Sequence, residues 1–276
     1  MQNPCDDVAV TLPGPEELAR RLLGRDADEI RPLVVWDHRA TYRCRIGRDE
    51  FVCKADENLT ELGREVGGHA QAGAAGIPVP EIVASEPGLL AMRWVDGVAL
   101  CSDSSDESWR AAAAVLQRIH ELPVPAHSTG GLPRSDTWLA SIEEELETEL
   151  PNIGLLPEQA QRLRDAVAER RAALAAAPRR FCHGDLQPDH VLLDRATRQR
   201  VVSIIDWSDY GVGDPTWDFA VLTLDDAERA GAFTEASDLV DLYRAIRDLG
   251  EVRWLVAHGM HDAADHARGR LAGWRQ

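Results

Sequence analysis

Lysine is almost missing from this chain: Lys54 is its only instance, and every other basic side chain is arginine, so either a constraint at this position excludes a guanidinium or one codon escaped drift to arginine by chance. Positive charge as a whole is scarce. The 30 Lys and Arg face 47 Asp and Glu, giving a formal charge of -17 and a pI near 4.9. That balance excludes nucleic acid and anionic membranes as partners, because both need a basic face to displace counterions. It permits a cationic substrate, against the plainer alternative of an acidic, solvated surface. Cysteine is sparse too. Cys5, Cys44, Cys53, Cys101 and Cys182 are odd in number and form no CxxC pair, which excludes a disulfide framework and a zinc knuckle and fits a reducing cytoplasm. No apolar run approaches the roughly 18 residues of a membrane span. The opening Met1-Gln2-Asn3-Pro4-Cys5-Asp6-Asp7 is acidic where a secretory signal would be basic, so a cytoplasmic location is expected. Internal repeats and low-complexity tracts are absent as well.

What is present divides into two parts. Residues 15–24 predict a short helix, with proline early, acids in the first turn and glycine as its stop. Residues 33–36, 41–46 and 50–55 are rich in β-branched and aromatic side chains and predict strands, the last two joined by a Gly47-Arg48-Asp49 turn. A helix over 59–75 and strands over 81–85 and 89–94 follow. Beyond Asp96-Gly97 the pattern is mainly helical, over 107–122, 137–150, 157–176 and from 216 onward, with Gly231 and Gly250 as breaks. Brief strands at 180–182, 191–193 and 201–205 interrupt it. The expectation is an α+β fold: a small β-rich lobe, residues 1–96, and a larger helical lobe, residues 97–276, with ligand in the cleft between them.

The chemistry concentrates around those brief strands. His183-Gly184-Asp185-Leu186-Gln187-Pro188-Asp189-His190 lies between two of them, and Asp206 ends the apolar run Val201-Val202-Ser203-Ile204-Ile205. Moving a γ-phosphoryl group to an alcohol requires an acceptor for the hydroxyl proton and a rigid oxygen ligand for magnesium. Asp185, on a loop leaving a strand, is the candidate catalytic base. Asp206 is the candidate magnesium ligand.

In order and spacing, His183-Gly184-Asp185, His190, Ile205-Asp206-Trp207 and Gly213-Asp214-Pro215, continued by Asp218 and Ala220, resemble the aminoglycoside and macrolide phosphotransferases. Those are antibiotic kinases with the protein-kinase-like fold. The motifs cover residues 181–220, and the likeness thins over the remaining chain. It implies ATP or GTP as donor, Mg2+ as cofactor and a hydroxylated small molecule as acceptor. Lys54 matches the lysine that holds the α- and β-phosphates, where a compact ammonium suits a crowded site better than a guanidinium fork. Glu65 matches its ion-pair partner, with Glu61, one turn earlier, as competitor. Met92 to Val95 match the hinge whose backbone meets the purine, so Met92 and Trp94 join the nucleotide-binding set. His183 is read as fixing the loop backbone, and Asp218 as anchoring the catalytic loop.

Two departures stand out. At the second metal position most relatives carry Asn, whereas this chain has His190, as the macrolide kinases do; it either ligates metal, through nitrogen or water, or shapes the loop. The loop Trp36-Asp37-His38-Arg39-Ala40-Thr41 has no glycine, so an amide cradle over the triphosphate is lacking. Thr41 or Arg39 are the candidates to touch phosphate instead, against an exposed turn with incidental polar residues. His258, His261, Asp262, Asp265 and His266 share a helical segment that is either a zinc site, part of an acceptor pocket, or a polar face. Glu143-Glu144-Glu145, Glu147 and Glu149 read as a solvated helix face. The expected function is an O-phosphotransferase that inactivates an antibiotic. The alternatives are a kinase of a choline- or homoserine-like metabolite, and a non-catalytic nucleotide-binding pseudokinase.

Overall fold

The computed structural model describes residues 12–36, 38–124, 142, 144, 146, 154–224, 226 and 239–274. The chain forms two compact units, residues 1–97 with 202–208, and residues 98–201 with 209–276.

The first unit is built on an antiparallel five-stranded sheet. Its strands are β1 (Glu29–Val35), β2 (Arg39–Ile46), β3 (Asp49–Asp56), β4 (Ile82–Glu86) and β5 (Leu89–Arg93), in the order β1-β2-β3-β5-β4. Period-two alternation gives the sheet two working faces. Cys53 and Ala55 of β3, with Cys44, Leu89 and Ala91, pack under Leu18, Ala19 and Leu22 of helix α1 (Pro15–Leu23). Val52, Leu90 and Met92 face the other way and pack with Leu62 and Val66 of helix α2 (Glu61–Ala74). Lys54 shares that second face. Strand β1 begins four residues before the predicted position, running through Pro32. A proline has no N–H to give a ladder, and it is tolerated here because β1 is an edge strand with a register irregularity between Pro32 and Val34. Residues 202–208 are tied to this unit by Ile204, whose N–H donates to the Pro78 carbonyl at 2.8 Å. Trp207 is fully buried, its indole N–H on the Ile204 carbonyl.

A short strand, β6 (Gly97–Ala99), marks the chain's passage from the first unit to the second. The second unit is mainly helical. It contains α3 (Asp106–His120), α4 (Pro157–Glu169), α5 (Arg171–Ala176), α6 (Pro215–Leu222), α7 (Val240–Ala257) and α8 (His261–Gly273). Its strand β7 (Arg180–Cys182) pairs antiparallel with β10 (Gly211–Gly213), and between them in sequence lie β8 (Val191–Asp194) and β9 (Val201–Ile204). The core gathers Leu146, Leu163, Val167, Tyr243, Ile246, Val252 and Leu271. No helix among the described residues is long and apolar enough to cross a membrane.

Three helical expectations need comment. Gly250 does not break a helix; it lies inside α7, because the buried face formed by Leu242, Ile246, Leu249 and Val252 outweighs the roughly 1 kcal/mol that a helical glycine costs. The stop comes at Gly259, in the left-handed conformation with φ 71°. The helix predicted over 157–176 is divided at Arg170, with φ -98° and ψ 8°. Of the segment 137–150, only 142, 144 and 146 are described, and all are helical; Gly231, Glu143, Glu145, Glu147 and Glu149 lie outside the described residues, and Glu144 is exposed.

Candidate active site

In the first unit, β3 delivers Lys54 and α2 delivers Glu65. The Lys54 Nζ donates to both Glu65 oxygens at 2.7 and 2.9 Å. Glu65 is 1% exposed, so its charge is compensated where water cannot reach it. The competitor, Glu61, accepts from the Asn58 side chain and pairs with Arg64. The Asp206 Oδ1 stands 3.7 Å from the Lys54 Nζ. Burial alone would depress the lysine's pKa, but Asp206 and Glu65 outweigh it and raise the value, keeping the ammonium charged. Asp206 itself sits at φ 62°, a left-handed backbone uncommon for a residue with a Cβ and tolerated best by Asp and Asn. Its carboxylate also accepts from the Ser208 hydroxyl at 3.4 Å. Thr41 is the direct cross-strand partner of Lys54. Met92 buries its side chain in the α2-facing cluster, and the Trp94 ring lies under the Arg43 guanidinium at 4.1 Å, so both side chains are committed to the fold.

In the second unit, the turn after β7 is pinned by Asp218 of α6. Its carboxylate, 0% exposed, accepts from the backbone N–H of His183 at 2.9 Å and of Gly184 at 2.8 Å, and is 2.9 Å from the His120 Nε2. Gly184 has φ 92°, a conformation that a side chain would strain, and its carbonyl accepts the Trp217 indole N–H at 2.7 Å. That pinned turn presents Asp185. Arg247 Nη2 donates to Asp185 Oδ1 and Gln187 Nε2 to Oδ2, both at 2.9 Å. Burial by itself would raise the carboxyl's pKa, yet the Arg247 charge, with His190 and Gln187, brings it below the ordinary value. His190 Nδ1 is 2.7 Å from the Asp185 carbonyl. A carbonyl only accepts, so Nδ1 carries the proton, and in the neutral ring Nε2 holds the lone pair.

Arg247 and Gln187 were not singled out in the sequence. Arg247 is one of several arginines on α7, next to the buried Arg244 and Asp248, and nothing in the sequence around it sets it apart. Nor was Asp56, which holds Arg39 by an ion pair of 2.6 Å.

A cavity of about 350 Å³ adjoins the same loop, lined by Leu100, Trp109, Gln187, Asp189, Leu222 and Asp226 among others. Among the described residues, one group of three potential metal ligands lies within mutual reach, His120, Cys182 and Asp218. Asp218 there already serves two amides and a histidine. The His258 to His266 segment forms no such group; the His258 Nδ1 bonds the Trp254 carbonyl, and Asp265 pairs with Arg268.

The overall architecture is shared with solved kinases. An aminoglycoside phosphotransferase, APH(2")-IIia, in complex with GDP and kanamycin superposes with a TM-score of 0.71 at 17% identity, over 93% of this chain and 96% of that one. A thermostable aminoglycoside phosphotransferase APH(4)-Ia bound to AMP-PNP and hygromycin B gives 0.70 at 18%, over 94% and 96%. The choline kinase LicA from Streptococcus pneumoniae gives 0.69 at 18%, over 94% and 98%. Likeness at such low identity establishes the fold, α+β and protein-kinase-like. No curated protein sequence matches the chain significantly. The model of the phosphotransferase enzyme family, however, matches residues 28–255, most of its length. By that match the chain belongs to the phosphotransferase enzyme family, as a kinase whose acceptor is an alcohol group.

Proposed function

We propose that this phosphotransferase moves the γ-phosphoryl group of ATP or GTP onto a hydroxyl of an antibiotic, of aminoglycoside, macrolide or nucleoside type, and so inactivates it in the cytoplasm. The observation that carries the reading is the Lys54 ammonium set between Glu65 and Asp206. In it, residues 1–96 serve the nucleotide, with Thr41 and the backbone at Met92 and Trp94 contributing, and residues 97–276 serve catalysis and the acceptor. Lys54, oriented by Glu65, holds phosphate oxygens. Asp206, on a backbone held in one conformation, would be the carboxylate donor for magnesium, and His190 would offer its Nε2. One carboxylate suits an ion that keeps water and phosphate oxygens in its other positions, while the imidazole is the weaker match. When bound, that ion neutralises charge developing on the β- and γ-phosphate oxygens.

Asp185 receives the acceptor hydroxyl's proton. Arg247 and Gln187 keep its carboxylate ionised and aimed, and each oxygen retains a lone pair for the incoming hydroxyl. Asp218 acts at one remove, by fixing the turn that carries Asp185, and His183 lends that turn a backbone N–H and a fully buried ring. The cavity beside Gln187 supports an acceptor with an apolar face toward Leu100, Trp109 and Leu222 and a cationic group toward Asp189 and Asp226.

The cavity's size favours a second reading, phosphorylation of a compact metabolite such as a choline- or homoserine-like alcohol. Its volume of about 350 Å³ lies at the small end of ligand pockets. Expression in a sensitive host against a panel of antibiotic classes tests the first reading: protection against one class supports it. No protection, with purified protein phosphorylating a small alcohol, favours the second.

A further inference from the structure

Arg39 repeats, one rung along the sheet, the arrangement around Lys54. Cross-strand register sets Arg39 opposite Asp56 and Thr41 opposite Lys54, so the four side chains share one face of the β2–β3 pair. On that face each cation is held by a carboxylate almost removed from solvent. Glu65 holds Lys54, and Asp56, 4% exposed, holds Arg39. The second Asp56 oxygen accepts the Asn58 N–H at 2.8 Å, which fixes the carboxylate in turn.

The contact to Arg39 uses Nε alone, at 2.6 Å, and among the described residues neither Nη nitrogen has a hydrogen-bond partner. A structural Arg–Asp pair gains most by meeting end-on with two parallel bonds; this one spends a single edge and leaves the terminal fork for something else. Burial works against the guanidinium's charge, but Asp56, Asp206 and Glu65 more than offset it, and the last two are the acids flanking Lys54. The turn ahead of Arg39 contains no glycine, so its backbone lacks the usual means of wrapping closely around phosphate.

We propose that Arg39 is a second phosphate-binding cation of this site, its Nη edge gripping oxygens of a nucleoside di- or triphosphate in place of a glycine-rich amide cradle. The inference rests on the reading of Lys54 as a nucleotide-binding residue.

Isothermal titration with magnesium tests it, using triphosphate, diphosphate and nucleoside of both the adenine and guanine series, on the wild type, Arg39→Gln, Arg39→Lys and Lys54→Ala. Arg39→Gln is expected to weaken the phosphorylated ligands by about 10- to 100-fold, the worth of a charge-assisted hydrogen bond. Binding of the nucleoside stays unchanged, and Arg39→Lys recovers part of the loss. Two results overturn the proposal: Arg39→Gln binding every ligand as the wild type does, or losing nucleoside and triphosphate equally, as a merely structural ion pair would. If the wild type prefers triphosphate and Lys54→Ala abolishes that preference while Arg39→Gln is silent, the inference alone fails. A wild type indifferent to phosphate removes the Lys54 reading and this inference with it.

Discussion

Asp185, the proposed base, is held in place twice over by the residues around it. Asp218 holds the turn through two backbone amides, and Arg247 and Gln187 hold the carboxylate itself. Asp185→Ala should therefore fold, and lower phosphoryl transfer by about 10²- to 10⁴-fold, as loss of a general base does; an unchanged rate would take Asp185 out of the mechanism. Asp218→Ala acts differently. It strands two buried N–H donors, each worth about 1–3 kcal/mol, so urea unfolding should register a loss of several kcal/mol. A change under about 0.5 kcal/mol would mean water replaces the carboxylate. The sequence set Asp185, Asp206 and Asp218 within one motif-dense stretch, residues 181–220, and marked Lys54 as its only lysine; the structure brings Lys54 to Glu65 and Asp206, and Asp218 to the turn before Asp185. Arg247 was not legible there, since it reaches Asp185 from 62 positions away and no local pattern encodes so distant a pairing.

At the level of elements, most strands and helices were legible from periodicity, and the misses have separate causes. Strand β1 starts at Glu29 because pairing with Arg45 and Cys44 extends it through residues whose own composition is not strand-like. In α7, burial overrides Gly250. Since an added Cβ there meets nothing within 4 Å, Gly250→Ala should stabilise the protein by about 0.5–1 kcal/mol. Gly88 is the contrasting case: with φ +73° and a virtual Cβ 2.7 Å from the Asp56 carbonyl, Gly88→Ala should destabilise it. Thermal melts of the two variants should move in opposite directions, and movement in the same direction would refute this reading of the packing.

The α7–α8 pair carries its own pH dependence. Asp248 is bonded to Arg270, which also holds Glu251. Burial pushes the Asp248 carboxyl up to about 6, against the pull of Arg270. With a folded value above the unfolded one, the folded state binds more protons between about pH 4 and 6, so this group's contribution to stability falls as pH rises through that window. The size is on the order of 1–3 kcal/mol. Comparing urea unfolding at the two ends of the window, the wild type should show this decline relative to Asp248→Asn; parallel curves would contradict it.

For the molecule as a whole, a charge of -17 resists compaction, and added salt should raise the melting temperature by screening that repulsion, whereas a falling midpoint would mean that attractive ion pairs outweigh it. Lys54 and Asp206 belong to one compact unit and Asp185 to the other, and the proposed mechanism requires all three. Residues that act as a set are grossly non-additive. The most direct measurement is magnesium-dependent γ-phosphoryl transfer from ATP or GTP to a panel of aminoglycosides, macrolides, nucleosides and small amino alcohols, in the wild type, Asp185→Asn, Asp206→Asn and the double variant. Each single variant is predicted to fall nearly as low as the double. Full activity in either single, or losses that multiply independently in the double, would contradict the account.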